Sequence, residues 1–293
     1  MTQLAPRVAP RPRPRAAPTP ALDLTGSTTT PIMKRSNKTI ADLERAAAEL
    51  CKRCDALHFG APVAFTYNPL NYAWQAHRAF LARAHARPTV LFVGMNPGPF
   101  GMAQTGVPFG EVASVRDFLG IDSRTATIGA PTRMHPKRPV EGFACTRSEV
   151  SGARVWAWAR DRFKTADAFF HEAFVWNWCP LAFMSESGAN LTPDKLPRTG
   201  RGAATVRALE NACDQALAAA ISALEPKHVV GFGSFAAERA QSVLNHLRSD
   251  HRNTSPPLVH KVLHPSPASP AANRGWAAQV DRQLAHAAIV FRV

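Results

Sequence analysis

Four short apolar runs constrain this chain most: Thr89 to Gly94, Ala173 to Asn177, Lys227 to Gly233 and Leu258 to Leu263. Each is too short for a globular helix and ends abruptly in polar or turn-forming residues. They read as strands buried on both faces. A helical pattern at about Tyr72 to Ala84 precedes them, and others lie between or after them at about Arg154 to Phe163, Ala203 to Leu224, Ser234 to Leu247 and Asn273 to Ala285. Strands alternating with helices of this length indicate a parallel sheet covered on both sides. The expected fold class is therefore α/β, a single-domain α/β/α sandwich around a four-stranded parallel sheet, spanning residues 38–293. An apolar content of 45% over 293 residues is ample for its core.

The residues that end these runs are as informative as the runs. They are Asn96, Asn177, the pair Gly233 and Ser234, and His264. Parallel strands bring their carboxyl ends to one edge of the sheet, where open α/β folds bind ligands. Two carboxamides and an imidazole on that edge point to a shared cleft. The first run continues as LFVGMNPGPFGMAQTGVPFG, a loop in which Gly, Pro, Asn and Gln end the strand.

That loop, GMNPGPFGMAQTGVPFGEV, together with WNWCPL around Asn177 and HPSPASPAANRGW from His264, resembles the single-strand-selective monofunctional uracil-DNA glycosylases of the uracil-DNA glycosylase superfamily. The likeness runs from about Tyr67 to about Leu284. It implies a base-excision repair enzyme that hydrolyses the N-glycosidic bond of uracil in single-stranded DNA, without lyase activity, cofactor or metal. It also implies the roles of several residues. Asn177 reads the pyrimidine, Phe109 stacks on it, Asn96 positions the water, and His264 with the backbone N–H of Met95 donates to O2. Gly98 leaves room at position 5, so that 5-hydroxymethyluracil is accepted.

Elementary chemistry fits those assignments. An asparagine amide can donate to uracil O4 and accept from N3–H, the reverse of what cytosine requires, provided that the amide is kept from flipping. An imidazole N–H aimed at O2 stabilises the departing uracil anion more than the ground state. Asn96, a weak base, orients water rather than deprotonating it. By residue type alone, Asn177 serves equally as a backbone cap at a strand end, and Phe109 as core. Ser234, Ser266, Asn273 and Arg274 are candidate DNA phosphate contacts, or caps in their own right. Lys261, the lysine nearest the last motif, alternates to the strand face opposite His264. Ala268 stands where the family usually has a wedging arginine, which weakens the expectation of duplex activity.

Composition agrees with a DNA partner. Formal net charge is +14, from 35 Lys and Arg against 21 Asp and Glu. Five cysteines, an odd and irregular set, suit a reducing compartment, and Cys51-x-x-Cys54 lacks the further clustered ligands that a metal needs. Without an apolar run of membrane length or a secretory signal, an intracellular monomer is expected. Residues 1–37, rich in Pro and Ala with six Arg and Lys against Asp23, read as a disordered basic tail. A first helix follows from an N-cap at Thr39 to about Leu57. The alternative reading is a non-catalytic protein on the same fold that binds single-stranded or damaged DNA.

Overall fold

The computed structural model describes Met1 and residues 31–249 and 256–292. Seven strands occur among them: β1 (Phe65–Tyr67), β2 (Val90–Gly94), β3 (Ala173–Asn177), β4 (Ala182–Met184), β5 (Asn190–Leu191), β6 (His228–Phe232) and β7 (Leu258–Val262). The main sheet has the order β3-β2-β6-β7 and every pairing in it is parallel. All four strands coincide with the four apolar runs to within a residue at each end. β2 and β3 are buried throughout, whereas the edge strand β7 carries exposed Leu258 and Lys261, a charge that discourages pairing with another chain.

The order of the strands fixes where a ligand can sit. From β2 the chain moves outward to β3, then returns past β2 to β6 and β7. The direction of winding thus reverses at β2, and the loops after β2 and β6 diverge to leave a crevice at the carboxyl edge. One covering layer contains the helix Ala203–Leu224, against which Pro31–Asp55 lies lengthwise. The other includes Val150–Phe163 and Trp276–His286, whose Trp158 and Trp276 join Phe92 and Phe232 of the sheet in a chain of ring contacts.

Three expectations need correction. The first helix begins at Pro31, so residues 31–37 are helical rather than part of a disordered tail. Proline suits a first helical turn and no other proline follows before the helix ends. Thr39 is therefore inside the helix, where its hydroxyl donates to the Ala223 carbonyl at 3.1 Å instead of capping. Residues 2–30 of the expected tail lie outside the described residues. The helix expected over Tyr72 to Ala84 is two, Pro69–Tyr72, capped by the Asn68 side chain, and Trp74–Leu81. The last helix is likewise split into Pro270–Asn273 and Trp276–His286 by Gly275, whose φ of +95° interrupts it.

A second, antiparallel sheet of order β1-β4-β5 was not anticipated, because strands of two or three residues carry no periodic signal. Among the described residues no helix is long and apolar enough to cross a membrane.

Candidate active site

The carboxyl ends of β2 and β3 lie side by side, with Gly94 paired to Asn177. A Cβ at Gly94 would fall 2.3 Å from Asn177 Oδ1 and 2.6 Å from Phe109 Cε2. Only glycine lets the amide and the ring approach together over the strand, so the end of β2 is the floor on which both rest.

Asn177 is only 6% exposed. Its Nδ2 meets the Met102 sulfur at 3.3 Å, and its Oδ1 is buried with no protein partner. No backbone group is capped, so the alternative reading of this residue as a strand-end cap is set aside. A carbonyl left unpaired in a buried wall costs about 1–3 kcal/mol, which an incoming N–H donor can offset. The amide is steadied by Met102, from the helix Met102–Thr105, and not by a hydrogen bond within WNWCPL.

Phe109 adopts a left-handed backbone, φ +54°, that is unfavourable for an aromatic residue. Its carbonyl is held by the Trp156 indole N–H at 3.0 Å and the Glu111 N–H at 2.8 Å. The ring meets Phe232 edge-to-face at 5.1 Å and is 8% exposed, part core and part cleft wall. Asn96 donates from Nδ2 to the carbonyls of Leu181 (3.2 Å) and Pro97 (3.3 Å), which leaves Oδ1 as its acceptor. The Met95 carbonyl accepts from Cys179 N–H at 2.9 Å and pins the start of the loop.

His264 follows β7. Its Nδ1 accepts from the Ser266 backbone N–H at 3.0 Å, which puts the ring proton on Nε2. Burial lowers its pKa, so the ring is a neutral donor at pH 7. The loop that carries it is braced by Arg154, which donates to Pro265 O at 2.9 Å and to Asn273 Oδ1 at 2.8 Å, while Asn273 Nδ2 donates to Pro267 O at 2.9 Å.

Asn96, Met95, Gly98, Phe109, Asn177 and His264 line one cleft of about 490 Å³, and Ser266 stands on its rim. The other three candidates lie outside it. Ser234, exposed at the start of the helix Ser234–Ser249, accepts from Lys261 Nζ at 3.4 Å. Arg274 is exposed, and both polar atoms of the Asn273 amide serve the loop. Sequence reasoning missed Glu149, in the cleft wall against Gly98 and Gly101. Burial pushes its carboxyl upward, against the lowering effect of hydrogen bonds from Gly152 and Ser151. It caps the helix Val150–Phe163 through Gly152 N–H at 2.8 Å. Placing that helix four residues late, at Arg154, hid the cap.

No set of three or more His, Cys, Asp or Glu side chains among the described residues is arranged to hold a metal. Burial, reinforced by the charge of Asp55, pushes the Cys51 thiol up to about 12, which makes a thiolate ligand there unfavourable.

The model of the uracil DNA glycosylase superfamily matches residues 82–284 and so contains every one of these strand ends. A Bos taurus protein named single-strand selective monofunctional uracil DNA glycosylase is 45% identical over 229 residues, 78% of this chain and 79% of its own. Its Rattus norvegicus and Mus musculus counterparts are each 46% identical over 229 residues, 78% of this chain and 77% of their own lengths. The solved structure of wild-type Pedobacter heparinus SMUG2, 13% identical, superposes with a TM-score of 0.53 over 83% of this chain and 97% of that one, a likeness of fold. The fold and the match to the superfamily define a DNA glycosylase, an enzyme that hydrolyses N-glycosyl bonds. Within that superfamily, the chain belongs to the single-strand-selective monofunctional uracil-DNA glycosylase family.

Proposed function

We propose that this protein excises uracil, and oxidised uracils such as 5-hydroxymethyluracil, from single-stranded DNA by hydrolysis and leaves the strand intact. The observation that carries the reading is the orphaned Asn177 carbonyl beside the Phe109 ring at the bottom of the cleft. An extruded base stacked on that ring gains on the order of 1–3 kcal/mol, and its N3–H supplies the donor that Asn177 Oδ1 lacks. With Nδ2 of the same amide toward O4, the pattern accepts uracil and rejects cytosine.

His264 Nε2–H and the Met95 N–H then converge on O2, where charge develops as the glycosidic bond breaks. Asn96 Oδ1 orients a water toward the sugar carbon, with the oxocarbenium-like sugar as its target. Most of the acceleration comes from the leaving group, since no strong base is needed to attack such a cation. Gly98, without a side chain, leaves space for a substituent at position 5. Lys261 does not line the cleft and donates to the Ser234 hydroxyl, and among the described residues no lysine lines the cleft to form a Schiff base.

A 5′-labelled single strand carrying one uracil tests this. The expected result is a product that is cleaved only after heating in alkali. The same is expected with 5-hydroxymethyluracil, and weaker excision from a duplex because Ala268 is no wedge. Cleavage without alkali would overturn the monofunctional assignment, and an intact strand after alkali would overturn the activity.

A further inference from the structure

In the cleft that His264 also lines, Phe100 of the β2 loop carries two arginines. The Arg147 guanidinium carbon lies 3.9 Å from the ring centroid and that of Arg138 lies 5.4 Å from it. Phe100 itself lines the cleft. We infer that Phe100, Arg138 and Arg147 form a second DNA subsite, one that grips a backbone phosphate of a nucleotide flanking the extruded one on a single strand. This rests on the DNA-glycosylase reading of the cleft but needs none of its catalytic steps.

Charge is the first argument. The ion pairs among the described residues occupy arginines such as Arg83, Arg116, Arg162 and Arg239, but neither Arg138 nor Arg147. Two guanidiniums drawn to one ring repel each other, and an exposed cation–π contact returns only about 0.5–1 kcal/mol. The arrangement becomes favourable when an anion arrives between them. A guanidinium fork matches the oxygens of a phosphate, and neighbouring Arg133 and Lys137 add to the positive field.

Rigidity is the second. The Gln104 amide, fully buried, donates to Pro99 O (2.9 Å) and Pro139 O (2.8 Å) and accepts from the N–H groups of Glu141 (2.8 Å) and Gly142 (3.1 Å). All four of its hydrogen-bonding positions are filled, and they tie the residue before Phe100 to the residue after Arg138. The Tyr67 hydroxyl donates to Arg138 O at 2.8 Å, and Arg138 donates from Nε to Gly188 O at 2.9 Å and from Nη1 to Lys137 O at 3.1 Å, so Nη2 is left for a ligand. A surface loop held this firmly is organised in advance for binding. Position is the third argument: Phe100 and Ser266 both line the cleft, so a strand that drops its base there runs its flanking phosphates past them.

The test measures binding of a single-stranded oligonucleotide containing 2′-fluoro-deoxyuridine, a non-hydrolysable substrate, by anisotropy at several salt concentrations. Arg147→Ala, an exposed position, is expected to raise Kd about three- to tenfold and to lower the slope of log K against log salt by about 0.7, the value for one single-strand phosphate contact. Arg147→Lys should keep the slope but recover only part of the affinity, and kcat on uracil should stay within about twofold of wild type in both. Arg116→Ala, which removes an arginine already paired with Asp117, should leave Kd and slope unchanged. Trimming the oligonucleotide one nucleotide at a time from each end should make wild type and Arg147→Ala converge when the gripped phosphate is lost. Wild-type Kd and slope in Arg147→Ala, or a deficit that persists on a strand trimmed to the uridine, would overturn the subsite. If wild type excised no uracil, the proposed activity would fail while these binding measurements still decided the subsite.

Discussion

The floor of the cleft and its rim are built on opposite terms. At the floor, Asn177, Phe109 and Gly94 are packed so tightly that a carbon added at Gly94 has no room, and the Asn177 Oδ1 buried there has no partner. At the rim, Ser266, Phe100 and the Arg147 that lies against Phe100 are partly or fully exposed. A floor of this kind discriminates between bases, whereas a rim of this kind holds any strand. Substitutions at the floor should therefore change kcat, and substitutions at the rim should change KM and its dependence on salt.

The largest effect is expected at His264, the proposed donor to the leaving group. His264→Ala should lower the single-turnover excision rate by about a hundred- to a thousandfold with little change in binding. The same imidazole predicts the acid limb. Burial lowers its pKa, so the neutral donor persists as pH falls past the ordinary value of about 6.5, and the rate should decline only below that. An acid limb centred above 6.5 would contradict a neutral donor. Next comes Gly94→Ala, whose methyl must displace Asn177 or Phe109. A shift of the reader of about 1 Å costs on the order of a hundredfold, with about 1–3 kcal/mol of stability lost as well. Normal activity in that variant would show that the floor is less rigid than its packing implies.

Beneath the floor, His77 is fully buried, with Nδ1 on the Gly106 carbonyl at 2.8 Å and Nε2 unpartnered. Burial lowers its pKa to about 4. Its neutral form is thus fully compatible with the fold above pH 6.5. As pH falls from there to 4 the unfolded chain takes up a proton that the folded one refuses. That window spans about 2.5 pH units at about 1.4 kcal/mol each, so ~3 kcal/mol of stability should be lost across it. Denaturant titrations of His77→Phe should show a shallower acid loss than wild type. The smallest effect is expected beyond the rim: Ser234→Ala should alter KM by less than about threefold, because its hydroxyl lies outside the cleft and accepts from Lys261.

The same contrast explains what could be read in advance. The four sheet strands were legible because buried parallel strands are continuous apolar runs, and Asn96, Asn177 and His264 stood out because each lies at the end of such a run or within two residues of it. What sequence hid depends on contacts between distant loops. The Met102 sulfur that steadies Asn177 comes from a four-residue helix with no periodic signal. Glu149 was hidden as an uncommon cap, and Phe100, Arg138 and Arg147 meet only because Gln104 closes a long irregular segment. Thr39, by contrast, had the residue type of a cap, but a helix that already starts at Pro31 overrode it.

The most direct measurement compares Asn177→Ala with wild type in single-turnover excision of uracil from a single-stranded oligonucleotide, with thermal unfolding as a control for folding. Loss of the base-reading amide is expected to reduce the rate at least about a hundredfold at an unchanged melting temperature, since a site built to pair with a polar edge fails when that pairing is removed. A folded Asn177→Ala protein that excises uracil at the wild-type rate would contradict the assignment of this cleft to the base.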